Sequence, residues 1–212
     1  MRSILPLMVA LAAAVLLDGC QIMAPQYSAS GVNAQTLRDS IVCPGAVGKF
    51  ASINESGNEN PISLRGGSMH SPYDDSYAAY LAEALKQDLS LAGRLSPNAT
   101  IEISGELQRN TVSLPPIGSG VGEISARFIV KEGPVVRYDQ VKSIHLEWDS
   151  SYFGSIAVPR AERQYPLMVQ KTLAELYADP RFKQAFGLSE ADKNGRGDCR
   201  PNPAKEQLVI PE

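Results

Sequence analysis

The residues whose types and spacing indicate chemistry stand near the start of the chain, in Leu17-Asp18-Gly19-Cys20. This stretch follows one early basic residue, Arg2, and the apolar run Ile4 to Leu17. A basic start, an apolar stretch and a small residue before the cut are typical of a secretory signal peptide. A cysteine directly after the cut can accept diacylglycerol on its sulfur. We therefore expect a lipoprotein signal over residues 1–19 and a mature chain whose Cys20 carries diacylglycerol and palmitate. The apolar run is shorter than the roughly 20 residues of a transmembrane helix, which disfavours a signal anchor.

The two other cysteines, Cys43 and Cys199, would be exported into an oxidising compartment, where disulfides form and persist. We expect a disulfide between them, which in the chain-entropy model would contribute on the order of 4 to 5 kcal/mol. The alternative is a pair of free thiols or a metal site. No Cys-x-x-Cys spacing or nearby histidine supports a metal site.

No set of residues in the sequence indicates catalysis, a cofactor or a metal ion. His70 lies in a Gly/Ser-rich segment, and His145 lies on the polar phase of a predicted strand, without a metalloprotease spacing around either. The stretch Arg65-Gly66-Gly67-Ser68 lacks the lysine and the spacing of a phosphate-binding loop. A net charge of −3 gives no basic footprint for nucleic acid. We expect a protein that is not an enzyme and binds neither a cofactor nor nucleic acid.

The segment from Trp148 to Gly154 brings three aromatic residues to a turn between a predicted strand and a predicted helix. In one interpretation Trp148, Tyr152 and Phe153 anchor a partner protein or an acyl chain. In the other, Trp148 continues the buried alternation of the strand and Phe153 caps the core below the helix. The second interpretation is the more common one for aromatic residues beside a strand.

Hydrophobic periodicity predicts the elements around these residues. A helix is predicted from Asp75 to Ala92, with its apolar residues on one stripe and Asp88 toward solvent. A second helix is predicted to start near Pro159 and to stop at Asp179-Pro180. One further helical turn is predicted from Arg181 to Phe186.

Alternation of apolar and polar residues predicts three strands, which follow the first helix. They lie around Ile101 to Gln108, Glu123 to Lys131 and Val136 to Trp148, and the last two form a hairpin through Glu132-Gly133-Pro134. Val141 is out of phase, so a bulge or break is expected between Asp139 and Ser143. An earlier strand is predicted at Val47 to Ile53 or at Ile62 to Leu64.

These elements predict an α+β fold in which two helices pack on one face of a small, mainly antiparallel sheet, in the order β-α-β-β-β-α. Residues 20–42 contain Pro, Gly and scattered polar residues, and we interpret them as a lipidated flexible tether. A single domain is expected over residues 43–188. Residues 189–212 are expected to form a polar tail that the disulfide fastens to the domain.

The chain resembles the YajG type of uncharacterised outer-membrane lipoproteins. The resemblance depends on Ile62-Ser63-Leu64-Arg65-Gly66-Gly67-Ser68, the helix Ser76 to Gly93, the strand Ile101 to Leu107, and Val141 to Trp148 before the last helix. The layout is also similar to that of the auxiliary lipoproteins of lipid-transport ABC systems and of the lipopolysaccharide-assembly lipoprotein that plugs an outer-membrane barrel. The resemblance assigns no functional residue except Cys20 as the lipid site.

The resemblance implies a non-enzymatic accessory subunit of an envelope assembly or transport complex. The alternative is a periplasmic carrier of lipid or lipopolysaccharide, with a groove between the helices and the sheet and with Pro115 to Gly120 as its lid. Gln21, rather than an aspartate, follows the lipidated cysteine. Under the sorting rule of enteric lipoproteins, Gln21 indicates the periplasmic face of the outer membrane of a Gram-negative bacterium.

Overall fold

The computed structural model describes residues 20–54 and 56–186. The predicted signal peptide and the predicted C-terminal tail lie outside the described residues. The strands are β1 (Cys20–Met23), β2 (Gly45–Ser52), β3 (Ile62–Leu64), β4 (Gly67–His70), β5 (Ile101–Ser113), β6 (Gly120–Glu132) and β7 (Val135–Trp148). The helices are α1 (Gly31–Ser40), α2 (Tyr77–Leu91), α3 (Gly154–Ala178) and α4 (Pro180–Ala185).

The strands form two sheets, and the larger one has the order β2-β5-β6-β7. Strands β5, β6 and β7 pair antiparallel through long ladders, whereas β2 pairs parallel to β5. The smaller sheet has the order β1-β4-β3, with β1 parallel and β3 antiparallel to β4. The α+β class and the predicted run of helix, three strands and helix are therefore confirmed. The parallel β2–β5 pair and the second sheet are additions that the alternation pattern did not contain.

The core lies between one face of the larger sheet and the helices. Along β5 and β6 buried residues alternate with partly exposed ones, as a sheet covered on one face requires. Phe128 of β6 and Leu173 of α3 are fully buried, and α3 packs on β6 and β7 while α2 packs on β2 and β5. Burial of apolar area stabilises a fold by roughly 25 cal/mol per Å², so this interface contributes to the stability of the domain.

Helix α2 begins and ends as its sequence predicts. Ser76 caps the first turn by accepting a hydrogen bond from the Ala79 amide, and Gly93 follows the last turn with a φ of 67°. The second predicted helix differs, because α3 already begins at Gly154 and continues through Pro159 and Pro166 to Ala178. The predicted final turn is α4, whose Phe182 and Phe186 are buried.

The interpretation of residues 20–42 as a flexible tether is wrong. They contain β1, which pairs with β4 from its first residue, and α1, whose Asn33, Ala34 and Leu37 are buried. Helix α1 packs on α2 and α3. The buried face of α1 is short and partly polar, so it carries no sustained apolar periodicity that would have distinguished it from a linker.

The expected break between Asp139 and Ser143 is also wrong. The β6–β7 register runs without interruption from Tyr138 to Trp148, and the irregularity lies one step earlier, opposite Val130 and Lys131. Val141 is 48% exposed because it belongs to the outer face of β7. Lys142 occupies the inner phase instead, where its ammonium group lies 2.6 Å from the Asp179 carboxylate.

Candidate functional site

Four exposed apolar residues lie on two neighbouring loops and on the first turn of α3 at one end of the fold, and we call them the end surface. They are Ile117, Tyr152, Phe153 and Ile156, with exposed fractions of 86%, 72%, 65% and 43%. The Tyr152 and Phe153 rings stack edge to face with centroids 5.7 Å apart. The Ile156 amide donates a hydrogen bond to the Phe153 carbonyl, which joins the aromatic pair to the first turn of α3.

Arg65, in the turn between β3 and β4, holds these two loops together. Its guanidinium group donates to the carbonyl oxygens of Leu114 and Pro115 in the β5–β6 loop. It also donates to the carbonyl oxygens of Ser151 and Tyr152 in the β7–α3 loop, at 2.9 and 2.8 Å. Hydrogen bonds from a charged donor are stronger than neutral ones. The loop predicted to be a mobile lid is therefore tied at its base to the loop that carries the aromatic pair.

Trp148 lies beneath this surface and belongs to the core side of β7. It is partly buried, packs against the hydrophobic core and is the register partner of Gly120. A side chain on Gly120 would collide with the indole ring, so the glycine allows the close approach of β6 to Trp148. Trp148 therefore follows the core interpretation of this segment and supports the loop from below. The expectation that Phe153 caps the core is wrong, because this side chain is 65% exposed.

A small open depression borders the end surface on the α3 side. It has a volume of about 390 Å³ and is lined by Trp148, Asp149, Arg160, Arg163 and Gln164. Arg160 donates a hydrogen bond to the Asp149 carbonyl at 3.2 Å, and Arg163 is exposed. Two guanidinium groups therefore stand one and two helical turns beyond Ile156, beside an exposed aromatic pair.

Cys20, the predicted lipid site, lies at this same end of the fold. It is the first residue of β1, and its backbone pairs in register with Gly67, two residues after Arg65. Neighbouring strands are about 4.8 Å apart and consecutive Cα atoms 3.8 Å apart, so the Cys20 backbone lies within about 13 Å of that of Arg65.

The other predicted site residues divide between described and undescribed parts of the chain. Cys43 packs against the hydrophobic core just before β2. Cys199 lies outside the described residues, so the disulfide between them stays a prediction.

The two histidines lie apart from the end surface. His145, on the outer face of β7, lies 3.2 Å from a Glu123 carboxylate oxygen and 3.3 Å from one of Glu147. These carboxylates, Glu147 first, raise the pKa of His145 because they stabilise its protonated form. His70 lies between Ser68 and Asp75, at 3.0 and 2.8 Å.

A buried carboxylate fixes the segment that leads from Cys20 into the fold. Asp88 of α2 is fully buried and accepts hydrogen bonds from the Tyr27 and Tyr177 hydroxyls, the Ser30 amide and the Asn33 side-chain amide. Its burial raises its pKa, an effect that these four donors oppose. The expectation that Asp88 faces solvent is wrong because α1 covers this side of α2.

The space between the helices and the sheet, predicted as a groove for the carrier alternative, is filled with side chains. Tyr165 of α3 is 1% exposed, and its hydroxyl donates to Asn110 of β5 at 3.0 Å. Met168 and Phe128 are fully buried in the same layer.

None of the helices within residues 20–54 and 56–186 combines the length and the apolar character of a membrane span.

Models of known protein families give no match to this chain, and neither do the sequences of curated proteins. Solved structures do resemble it. Protein XCC0632 from Xanthomonas campestris, of family DUF330, matches with a TM-score of 0.54 at 8% identity, over 74% of this chain and 92% of that one. The chain therefore shares the fold of XCC0632.

Two further structures are similar to lesser degrees. A proposed lipoprotein from Caulobacter crescentus matches with a TM-score of 0.41 at 10% identity, over 73% of this chain and 94% of that one. The hypothetical protein CT253 from Chlamydia trachomatis matches with a TM-score of 0.37 at 13% identity, over 64% and 95% of the two chains.

Sequence reasoning missed two residues that organise this end of the fold. Arg65 belongs to an incomplete phosphate-binding pattern and to the stretch of the YajG-type resemblance, neither of which indicates its contacts, and its carbonyl partners are 49 to 87 positions away along the chain. Ile117 was part of a Pro/Gly-rich loop without periodicity. No local sequence pattern marks either residue. Their importance arises only in the fold, where the β3–β4 turn, the β5–β6 loop and the β7–α3 loop meet.

Proposed function

We propose that this chain is a non-enzymatic, lipid-anchored lipoprotein on the periplasmic face of the outer membrane. In this proposal Cys20 carries the diacylglycerol and palmitate chains, and the protein is an accessory subunit of an envelope assembly or transport complex. The YajG-type resemblance of the sequence supports this role.

One observation carries the proposal: Tyr152 and Phe153 are exposed on a loop that Arg65 holds by hydrogen bonds, at the end of the fold where Cys20 begins β1. Apolar residues scattered singly over a surface are ordinary. Four of them, on two loops that one arginine joins and on the adjoining first turn of α3, form a prearranged contact surface. A rigid aromatic surface loses little conformational entropy when it binds.

The experiment is crosslinking of the full-length lipoprotein in cells, followed by purification and mass spectrometry of the bound proteins. The Tyr152→Ala/Phe153→Ala variant should recover several-fold less of the partner protein than the parent. Its free energy of unfolding should change by less than about 1 kcal/mol, because both side chains are largely exposed. Val32→Ala/Leu91→Ala is the matched control, since it removes two exposed apolar side chains from α1 and α2, away from the end surface.

Equal partner recovery by the parent, the double variant and the control would contradict the proposed contact surface. A loss of partner accompanied by an equally large loss of stability would show that Tyr152 and Phe153 are structural residues. A Cys20→Ser variant that still fractionates with membranes would contradict the proposed lipid anchor.

A further inference from the structure

We infer that the end surface is a membrane-binding surface, which inserts into the interfacial region of the lipid leaflet that holds the acyl chains of Cys20. The occupant of Ile117, Tyr152, Phe153 and Ile156 is thus phospholipid. This surface affects partner recovery by orienting the domain, whose remaining sides meet the envelope complex. This inference rests on the proposed lipidation of Cys20.

The first step concerns the distance between the fold and the lipid anchor. A flexible tether of twenty residues would let the domain stand off the membrane in any orientation. The structure instead continues regular pairing to Cys20 itself, with Cys20, Gln21, Ile22 and Met23 in register on β4. The Ala24 amide then donates to the His70 carbonyl at 2.8 Å. Acyl chains on Cys20 therefore hold the smaller sheet directly at the bilayer surface.

The second step concerns which surface then meets the lipid. Cys20 pairs with Gly67 at the β3–β4 turn, so this turn faces the bilayer together with the anchor. Arg65 in that turn is hydrogen-bonded to both loops that carry the end surface. The same guanidinium group that fixes these loops to each other thus fixes them beside the anchor. Exposed apolar side chains in this position lie at the membrane whether or not a protein partner is present.

The third step concerns chemistry. Aromatic residues are enriched at the headgroup level of membranes, where one side of the ring is apolar and the other wet. Tyr152 offers such a ring with a hydroxyl group, and Phe153, Ile117 and Ile156 offer apolar area for the acyl boundary. Arg163, which lines the neighbouring depression, is exposed and suits the phosphate groups of anionic lipids. An apolar tip with an exposed arginine close by is the combination of an interfacial anchor.

The consequence is a fixed orientation of the domain. Lipid on Cys20 supplies one attachment point, about which a domain can rotate and tilt. A second attachment through Tyr152 and Phe153 removes much of that freedom. The outer faces of β5, β6 and β7 then project into the periplasm at a set angle, where a component of the envelope complex can reach them.

The test measures how close the end surface comes to lipid in vesicles. Trp148 is the only tryptophan, so Trp148→Phe/Phe153→Trp places a single fluorescent reporter on the end surface. Trp148→Phe/Val32→Trp places the matched reporter on α1, at a site that is 77% exposed against 65% for Phe153. Both full-length lipidated proteins are reconstituted into vesicles of phosphatidylethanolamine and phosphatidylglycerol that contain brominated phosphatidylcholine, a short-range quencher. Flotation of the vesicles reports anchoring independently of fluorescence.

We expect both proteins to float and the reporter at position 153 to be quenched at least about twofold more than the reporter at position 32, because only the former reaches the acyl region. Flotation with equal quenching of the two reporters would overturn the inference while leaving the lipid anchor intact. Failure of both proteins to float would refute the anchor itself, and the inference with it.

A second measurement distinguishes lipid from protein as the occupant in cells. A photoreactive benzoylphenylalanine at position 152 of the full-length lipoprotein should give adducts with the mass of phospholipids. The same group at the exposed position 141, on the outer face of β7, should not. A protein adduct at position 152 in place of lipid would overturn the inference.

Discussion

Removal of the buried carboxylate of Asp88 tests whether the segment after Cys20 is part of the fold or a tether. Asp88 accepts hydrogen bonds from Tyr27, Tyr177, Ser30 and Asn33, and Tyr27 and Tyr177 are nearly inaccessible to solvent. In Asp88→Ala these donors lose their acceptor. A tether would have no such dependence on a residue of α2.

The magnitude follows from which donors water can reach. The Ser30 amide is partly exposed and can be rehydrated, and the buried Asn33 side-chain amide keeps its hydrogen bond to the Gln170 carbonyl, so the loss of these two bonds costs little. Two buried tyrosine hydroxyls without an acceptor cost about 1–3 kcal/mol each. Part of this cost is offset because a desolvated carboxylate is also removed. We expect the free energy of unfolding of Asp88→Ala to fall by about 2–4 kcal/mol.

The assay combines urea unfolding with amide hydrogen exchange. Protection should fall most in residues 27–41, since that segment depends on Asp88 directly, while β5 and β6 keep the protection that the lower global stability allows. Lys86→Ala is the matched control, because Lys86 is exposed on the same helix and its pairing with Glu83 is a surface ion pair. A loss below about 1 kcal/mol with unchanged exchange in residues 27–41 would refute the reasoning.

The pH dependence of the stability difference between the parent and Asp88→Ala is a second, independent test. The folded-state pKa of Asp88 is raised, above all by burial, so the folded protein binds the proton more tightly than the unfolded chain. The contribution of this group is therefore most favourable at low pH and is lost as the pH rises through the raised pKa. The unfolding free energy of the parent, relative to Asp88→Ala, should decline with rising pH over that interval. A difference that grows with pH would contradict the assignment.

Two further substitutions test the other fixed points of the fold. Arg65→Ala should increase amide exchange in residues 114–119 and 151–153 and lower the free energy of unfolding by about 2 kcal/mol, because four carbonyl groups lose a charged donor. The control Arg137→Ala, at an exposed position, should change neither quantity. Unchanged exchange in the Arg65 variant would contradict its role. Asp179→Asn removes a carboxylate whose pKa burial alone would raise, but which Lys142 and the Arg181 amide lower to about 2. Its cost, about 1–2 kcal/mol near neutral pH, should shrink as the pH falls from 3.8 toward 2, and a cost independent of pH across this interval would count against the ion pair.

The elements with a strong internal period could be predicted from the sequence, and those held by polar or long-range contacts could not. Apolar residues recur at helical spacing along α2 and at every second position along most of β5, β6 and β7, because each element has one face on the core and one in water. Helix α1 buries a short face that includes Asn33, and the carboxylate that holds it lies 55 positions away. The parallel pairing of β2 with β5 likewise depends on residues separated by α2 and two short strands.

The candidate site shows the same division. The segment from Trp148 to Phe153 was noticeable because aromatic residues clustered at a turn, but only the structure separates Trp148, which supports β6, from Tyr152 and Phe153, which face outward. A pattern of period two predicts which side of a strand a residue takes. It cannot predict which side of a loop a residue takes, since a loop's direction is set by its contacts, here those of Arg65.

A folded segment in place of a flexible tether after Cys20 changes how a lipoprotein of this kind would work. A domain on a long flexible linker finds its partner by diffusion within the volume that the linker allows, and its surface near the anchor has no special role. A domain whose first strand begins at the lipidated residue has its orientation decided by the residues around that strand. Arg65 and the β3–β4 turn would then be as important to partner encounter as the residues that touch the partner. The proposed accessory role is therefore expected to be more sensitive to Arg65→Ala than the stability of the fold is.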